Sequence, residues 1–220
     1  MTTADDQTQT QWHEAALRLR AGVQALGLAL SPATEGKILD YLQTMRRWNR
    51  VFNLTAISDP DEMVARHVLD SLAILPHLPP GALLDVGSGA GLPGIPLALF
   101  EPTRAITLLD RSHKRADFLT EVAGRLALSH VNIVCERVED HRPAAPYDVV
   151  AARAFASLGD IAAAVGHLLA PEGRIVAMKG TLPTEELAAV AAPFIVTDIH
   201  GLAIPGLAAQ RHLVVLARAP

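Results

Sequence analysis

LLDVGSGAGLPG, at residues 83–94, is the stretch that decides the fold of this 220-residue chain. Apolar residues lead into a run in which glycine recurs, and apolar residues resume after it. The stretch therefore predicts a buried strand, a tight turn and a helix. Glycine lets the backbone turn sharply and approach a ligand without an intervening Cβ. A second apolar run, at 105–109, ends at Asp110. A glycine turn followed by such an acid is typical of adenosine sites, in which the carboxylate accepts hydrogen bonds from the ribose hydroxyls.

The rest of the chain extends this unit into an alternation of strands and helices. Strands are predicted at 83–87, 105–110, 131–135, 147–152, 173–179, 194–200 and 211–218. Helices are predicted between them at about 91–100, 112–127, 158–169 and 184–192. This alternation predicts a Rossmann-like α/β fold, with a mostly parallel seven-stranded sheet covered by helices on both faces. Because no long helix separates the last two strands, we expect them to form an antiparallel pair.

The first 80 residues have a different pattern. Residues 1–80 predict an N-terminal helical extension, which precedes one compact α/β domain at 81–220. Ser31-Pro32 and Asp59-Pro60 each combine a capping side chain with a proline at the first helical position, and therefore predict helix starts.

Composition narrows the class of protein. The 19 Lys and Arg against 23 Asp and Glu leave a net charge of −4, which argues against a protein that coats nucleic acid without selectivity. Any nucleic-acid contact is therefore expected to be a local patch. Cys135 is the only cysteine, so no internal disulfide can form. Signal-peptide features are absent, and no run approaches the roughly 18 apolar residues of a membrane span, so we expect a cytoplasmic protein without membrane contact.

The identity of the adenosine cofactor follows from the details of the turn. The pattern G-x-G-x-x-G at 89–94 also matches the dinucleotide fingerprint, so NAD is an alternative. Asp85, just before the turn, suits a cationic group such as the amino group of S-adenosylmethionine better than a pyrophosphate. Pro93 and Pro96 lack the amide N–H that a phosphate site uses. No second domain remains for hydride chemistry. The sequence therefore favours S-adenosylmethionine over NAD.

The type of methyl acceptor is constrained by what is missing. Residues 151–155 (AARAF) lack the Asn/Asp-Pro-Pro-aromatic loop that is common in methylation of exocyclic amines. Methylation at C5 of a pyrimidine needs a cysteine nucleophile. Cys135 is the only candidate, and it is predicted inside the third strand, as a core residue rather than a nucleophile. N7 of guanine remains compatible, because its lone pair carries no proton and methylation there needs positioning rather than a general base.

Several short motifs together resemble a known family. They lie at 53–56 (NLTA), 66–71 (RHVLDS), 85–96, 107–110 with Lys114 and Arg115, 153–157 (RAFAS), 178–180 (MKG) and 211–214 (RHLV). In this order they resemble the ribosomal RNA small subunit methyltransferase G family, also called glucose-inhibited division protein B. The resemblance extends from about residue 35 to the C-terminus, and the first two motifs lie outside the cofactor turn.

The resemblance implies a class I S-adenosylmethionine-dependent methyltransferase that methylates N7 of one guanosine in the 530-loop of 16S rRNA. The partner is then 16S rRNA or the small ribosomal subunit, with no DNA, and we expect a monomer. Carried onto this sequence, the resemblance places Gly87 and Leu92 at the cofactor turn, Val138 and Glu139 by the adenine, and Arg153 at the pocket mouth. With the turn itself, the predicted cofactor-binding residues are Asp85, Gly87, Gly89, Gly91, Leu92, Asp110, Val138, Glu139 and Arg153.

Two departures from the family pattern concern the cofactor surroundings. The family usually has Ser-x-Gly after the acid of the second strand, where this chain has Arg111, Ser112 and His113. Ala152 stands before Arg153, where serine is common. These departures put individual contacts in question and leave the cofactor assignment unchanged.

Four residues are candidates for catalysis: Arg153, Asn53, His67 and Lys179. Arg153 closes an apolar strand and needs a partner there. Lys179 ends the fifth strand at the same sheet edge, where ligands bind in open α/β sheets. His67, near Asp70, either faces the active site or is a satisfied histidine between the helices and the sheet.

Other basic residues have two readings. Arg46, Arg47 and Arg50 flank Trp48 and either meet RNA phosphates or form a solvated helix end. Lys114 and Arg115 likewise either contact RNA or are exposed to water. The scattered histidines show no metal-ligand spacing, so no metal is expected. A NAD-dependent oxidoreductase and a non-catalytic ribosome-binding module remain as alternative functions.

Overall fold

A computed structural model describes residues 4–153 and 156–220. Seven strands form one sheet in the order β3-β2-β1-β4-β5-β7-β6. The strands are β1 (Leu83–Val86), β2 (Ile106–Leu109), β3 (Val131–Val134), β4 (Tyr147–Arg153), β5 (Leu169–Lys179), β6 (Phe194–Leu202) and β7 (Arg211–Arg218). β1 to β5 pair in parallel, whereas β7 lies antiparallel between β5 and β6. The predicted fold class and the antiparallel final pair are thus confirmed.

Eight α-helices surround this sheet in the described part of the chain. They are α1 (Ala4–Ala25), α2 (Pro32–Phe52), α3 (Pro60–Met63), α4 (Asp70–Leu72), α5 (Gly94–Phe100), α6 (His113–Arg125), α7 (Leu158–Val165) and α8 (Thr184–Ala188). The two predicted caps are present: the Ser31 side chain accepts from the Thr34 amide and the Asp59 side chain from the Glu62 amide. None of these helices is long and apolar enough to cross a membrane.

The core lies on both faces of the sheet. On β1 the adjacent residues Leu83 and Leu84 are fully buried in two different apolar clusters, because successive strand residues point to opposite faces. One cluster joins the sheet to α1, α2, α5 and α6, and the other joins it to α7. Burying each such leucine contributes about 1.5–3 kcal/mol. The N-terminal helices therefore share a core with the sheet on one face.

A π-helical turn (Val64–Leu69) separates α3 from α4. The sequence did not predict it, because apolar spacing does not distinguish a wide turn from a regular one. Such turns occur mostly as local interruptions of α-helices, often at functional sites. This one contains Arg66 and His67, and it directly precedes Asp70.

Two sequence predictions need correction. Within the predicted extension, the sequence has a helical pattern only from Thr10 onwards, but α1 begins at Ala4, because polar residues can extend a helix that its apolar stripe stabilises. Cys135 was placed inside the third strand and in the core, but β3 ends at Val134 and Cys135 is only half-buried. β3 is an edge strand, and its ladder ends with the last residue of β2. The Cys135 thiol lies 3.3 Å from Nδ1 of His113.

One buried hydrogen bond joins the N-terminal helices to the glycine turn. The Tyr41 hydroxyl, on α2, donates to the Ala90 carbonyl at 2.6 Å. Tyr41 is fully buried, and burial raises its pKa, so the hydroxyl remains a donor at neutral pH. The position of α2 is therefore tied directly to the backbone of the turn.

Removing this hydroxyl tests the connection. Tyr41→Phe keeps the ring but leaves a buried carbonyl without its donor, so we expect the free energy of unfolding to fall by about 1–3 kcal/mol. Urea denaturation followed by circular dichroism measures the difference, and Ser58→Ala, at an exposed position, is the control. An unchanged unfolding midpoint in Tyr41→Phe would contradict the structural role assigned to the bond.

Candidate active site

The turn after β1 uses left-handed backbone conformations at three glycines. Gly87, Gly89 and Gly91 have φ values of 69°, 58° and 85°, which side chains with a Cβ rarely adopt. The amides of Gly87 and Ser88 both donate to the Leu109 carbonyl, at 2.8 and 3.1 Å. The end of β2 therefore fixes the shape of the turn.

Asp85 lies behind the turn and is fully buried. Its Oδ2 accepts from the Gly94 amide at 2.9 Å, while Oδ1 has no hydrogen-bond partner among the described residues. Burial raises the pKa of this carboxyl to about 7. A Cβ on Gly94 would lie only 2.7 Å from Oδ2, so the glycine permits the close approach of α5 to the acid.

The start of α5 distinguishes between the two cofactor alternatives. A dinucleotide needs free amides there for its phosphates. The Gly94 amide is taken by Asp85, and the Ile95 and Leu97 amides donate to the carbonyls of Gly91 and Pro93. Pro96 has no amide to offer. The residues present therefore fit a ligand without phosphate, and the buried acid fits a cationic one.

Asp110 follows β2 and is almost fully buried. Oδ2 accepts from the Gly89 amide at 2.9 Å and from Nη1 of Arg115 at 3.2 Å, and Oδ1 accepts from the Ser112 amide at 2.9 Å. A carboxylate offers about four acceptor positions, so Oδ1 keeps capacity for a hydroxyl donor. This arrangement is compatible with the predicted ribose contact.

A cavity of about 380 Å³ opens beside Asp110 at the carboxyl ends of β1, β2 and β4. Among the predicted cofactor residues, it is lined by Gly87, Asp110, Val138, Glu139 and Arg153. Asp85, Gly89, Gly91 and Leu92 are not part of its lining. These four residues belong to the strand end and the turn. A Cβ on Gly91 would collide with Ile95 and Leu119. We call this space the first cavity.

Arg153 ends β4 and separates the first cavity from a second one of about 330 Å³. Its Nη2 donates to the Arg66 carbonyl at 2.8 Å and lies 3.4 Å from Asp70 Oδ2. Nη1 is buried and has no partner among the described residues. The Arg211 Nε donates to Oδ1 of the same aspartate at 2.8 Å. Two arginines from distant parts of the chain thus share one buried carboxylate.

The other three catalytic candidates differ in position. Lys179 lines the second cavity, but its ammonium donates to the Ala156 carbonyl and to Glu186, both at 2.7 Å. Hydrogen bonding from Lys179 lowers the pKa of Glu186. Asn53 is exposed and caps the C-terminus of α2 in a left-handed conformation, with φ 48°, which asparagine tolerates well. Neither Asn53 nor His67 lines the two cavities.

His67 is a buried side chain near the site. Its Nε2 lies 3.0 Å from the Thr55 hydroxyl, and Nδ1 has no partner among the described residues. Burial, with the nearby charge of Arg153, lowers the pKa of His67 to about 4. The imidazole is therefore neutral at pH 7.

The basic residues near Trp48 are largely engaged within the protein. The Trp48 indole donates to Glu121 on α6 at 2.9 Å, and Arg47 pairs with the same carboxylate at 3.0 Å. Arg46 lies over the ring of Trp12, 6.0 Å from its centroid. These contacts hold α2 to its neighbours. Arg50 has no ion pair among the described residues.

Some site residues were missed by the sequence reasoning. The first cavity is also lined by Arg111, Arg115, Glu136 and Arg137, which follow β2 and β3. Their position after strand ends was an available signal. The motif at 211–214 gives no role to Arg211, because nothing in the sequence predicts that this residue of β7 meets Asp70 beside Arg153. Ala154 and Phe155, from the motif at 153–157, lie outside the described residues. Within residues 4–153 and 156–220, no group of His, Cys, Asp and Glu could hold a metal ion.

Solved structures share this architecture. TrmN from Thermus thermophilus has a TM-score of 0.54 at 19% identity, over 79% of this chain and 53% of that chain. The glycopeptide N-methyltransferase MtfA, complexed with S-adenosyl-L-homocysteine, has a TM-score of 0.57 at 12% identity, over 70% of this chain and 87% of that chain. The likeness shows that the chain has the methyltransferase fold that the sequence predicted.

Sequence comparisons are more specific. The ribosomal RNA small subunit methyltransferase G of Nitrosospira multiformis is 47% identical over 93% of this chain and 98% of that protein. The protein of the same name from Pseudomonas paraeruginosa is 49% identical over 91% of this chain and 94% of that protein. The GidB family, described as rRNA small subunit methyltransferase G, matches residues 34–214. The chain therefore belongs to the GidB family of rRNA small subunit methyltransferases.

Proposed function

We propose that this protein uses S-adenosylmethionine to methylate N7 of one guanosine in the 530-loop of 16S rRNA. The observation that carries the proposal within the site is the Asp85 carboxylate at the start of α5, where a dinucleotide enzyme needs free amides. Family membership along most of the chain supports an rRNA acceptor. The resemblance of the motifs supports the finer assignment to guanine N7.

The first cavity holds the cofactor in this proposal. Gly87 brings the backbone close to the ligand, and Asp110 accepts from the ribose hydroxyls through its available Oδ1 position. Val138 and Glu139 also line this cavity, and the resemblance places the adenine beside them. Asp85 does not line the cavity, so it acts on the cationic amino end of the cofactor from behind the turn, through its charge.

The chemistry requires little from the protein beyond positioning. When bound, the cofactor supplies a methyl group on a positively charged sulfonium. Guanine N7 has an available lone pair and no proton to lose, so no general base is needed. His67, which is neutral and lines neither cavity, is compatible with a reaction that needs no proton transfer.

The chain is acidic overall, but a local surface at the end of α2 is suited to contact RNA. Phe52 and Val51, at the end of α2, are 39% and 71% exposed. The Lys114 ammonium lies 5.7 Å from the centroid of the Phe52 ring. An exposed aromatic ring beside a cation suits a stacked base and its phosphate. We propose that a monomer presents this face to the rRNA of the small subunit.

Asp85→Asn tests the cost of the buried acid through its pH dependence. With a folded pKa of about 7 against an ordinary 3.8, the native protein keeps a proton that the unfolded chain loses, so wild-type stability falls as pH rises between these values. The asparagine variant lacks this contribution. Its stability relative to wild type should therefore increase from pH 5 to 7, by up to about 1.4 kcal/mol per pH unit. Urea denaturation at each pH measures the free energy of unfolding of both proteins. If the two free energies change with pH in parallel, the prediction is refuted.

Asp110→Ala tests the cofactor site. Loss of a charged hydrogen-bond acceptor should weaken S-adenosylmethionine binding by about 1–3 kcal/mol, measured by isothermal titration calorimetry. NADH should give no binding heat with the wild-type protein. Asp198→Ala, on β6 and exposed, is the control and should bind like wild type. Binding of NADH without binding of S-adenosylmethionine would exclude the proposed cofactor.

Methyl transfer tests the acceptor. Labelled methyl groups from the cofactor should appear in small ribosomal subunits or 16S rRNA, but not in tRNA, and nucleoside digestion should yield 7-methylguanosine. Arg153→Ala should lower turnover by about 100-fold, because it removes a donor at the boundary of the two cavities. Arg174→Ala, whose side chain contacts the Glu172 and Gly173 carbonyls away from both cavities, should retain activity. Label found in tRNA alone would overturn the rRNA assignment.

A further inference from the structure

The second cavity adjoins the first at a single shared side chain. Arg153 lines both spaces. The second cavity lies where β4 and β5 end and β7 begins, and its volume of about 330 Å³ is within the range of small-ligand pockets. A group bound there would lie next to the cofactor, at the edge of the sheet where the chemistry occurs.

The walls of the second cavity combine apolar and polar surfaces. Met178 is almost fully buried and Leu202 is half-buried, and both present apolar atoms. Gly180 contributes no side chain, and a Cβ there would meet no atom within 4 Å. Asp70 and Arg211 supply a fixed charge pair. Apolar walls with a polar end suit a nucleobase that is unstacked from single-stranded RNA, which proteins read at its edges.

The polar end favours guanine among the bases. Arg211 and Arg153 hold the two oxygens of the buried Asp70 carboxylate in a fixed direction. Guanine presents two adjacent donors, N1–H and the exocyclic amine, to such a carboxylate, whereas adenine and the pyrimidines lack this pair. Arg153, whose buried Nη1 has no partner among the described residues, lines the same cavity. N7 lies away from the donor edge and therefore remains free to react.

We propose that the second cavity receives the acceptor guanine base, and that Asp70 selects guanine by accepting hydrogen bonds from its N1–H and exocyclic amine. This inference rests on the proposed methyltransferase function and adds the residues that recognise the acceptor. Asp70 is a specificity-determining residue, held in place by the arginines on either side.

Filling the cavity tests where the base binds. Gly180→Leu places a side chain in open space at the cavity wall, so the variant is expected to fold and to bind S-adenosylmethionine like wild type in calorimetry. Methyl transfer to unmethylated small subunits should fall by about 100-fold, because the base is displaced from the in-line position. Gly124→Leu, on α6 with equally open space around its Cβ, is the matched control and should retain transfer. Wild-type transfer by Gly180→Leu would overturn the location.

Replacing the acceptor guanosine by inosine tests the selection. Inosine keeps N7, O6 and N1–H and lacks only the exocyclic amine. On small subunits reconstituted with this RNA, the wild-type protein should transfer methyl groups about tenfold more slowly, and Asp70→Asn should lose that discrimination. Equal rates on both RNAs, with Gly180→Leu inactive, would overturn the role of Asp70. A wild-type protein inactive on every rRNA would refute the proposed function itself.

Discussion

The hydrogen bond from the Gly94 amide to the Asp85 carboxylate is the interaction on which the site depends. It joins the end of β1 to the start of α5 and closes the glycine turn between them. It also occupies the Gly94 amide at the helix start, and a phosphate ligand would require that amide for itself. The cost is a fully buried acid with one unpaired oxygen. The protein maintains this buried acid beside the cavity where a positively charged cofactor is proposed to bind, and a nearby cation would favour its ionised form.

The sequence predicted the α/β part of the fold well because its determinants are local. Strand periodicity, the glycine turn and the caps at Ser31 and Asp59 each depend on a few neighbouring residues. The π-helical turn and the exposure of Cys135 were not predictable in this way. The first has no mark in the apolar spacing, and the second depends on which strand forms the sheet edge.

The candidate site was predicted less completely, and the reason is again physical. Gly87, Asp110, Val138, Glu139 and Arg153 follow strand ends and meet at one cavity, as parallel topology requires. Asn53 and Lys179 belong to the family motifs, yet the geometry also gives them structural contacts, a helix cap and an ion pair. A motif reports that a residue type is needed at a position, and it does not distinguish a reacting group from one that shapes the backbone.

The pairing of Asp70 with Arg211 spans 141 residues of sequence. Arg211 begins β7, the final strand, which inserts between β5 and β6. During synthesis, a nascent chain can build the glycine turn and the parallel strands long before this arginine emerges from the ribosome. Until then the aspartate lacks one of its two counter-charges. The proposed base-binding cavity is therefore completed only after β7 has been translated.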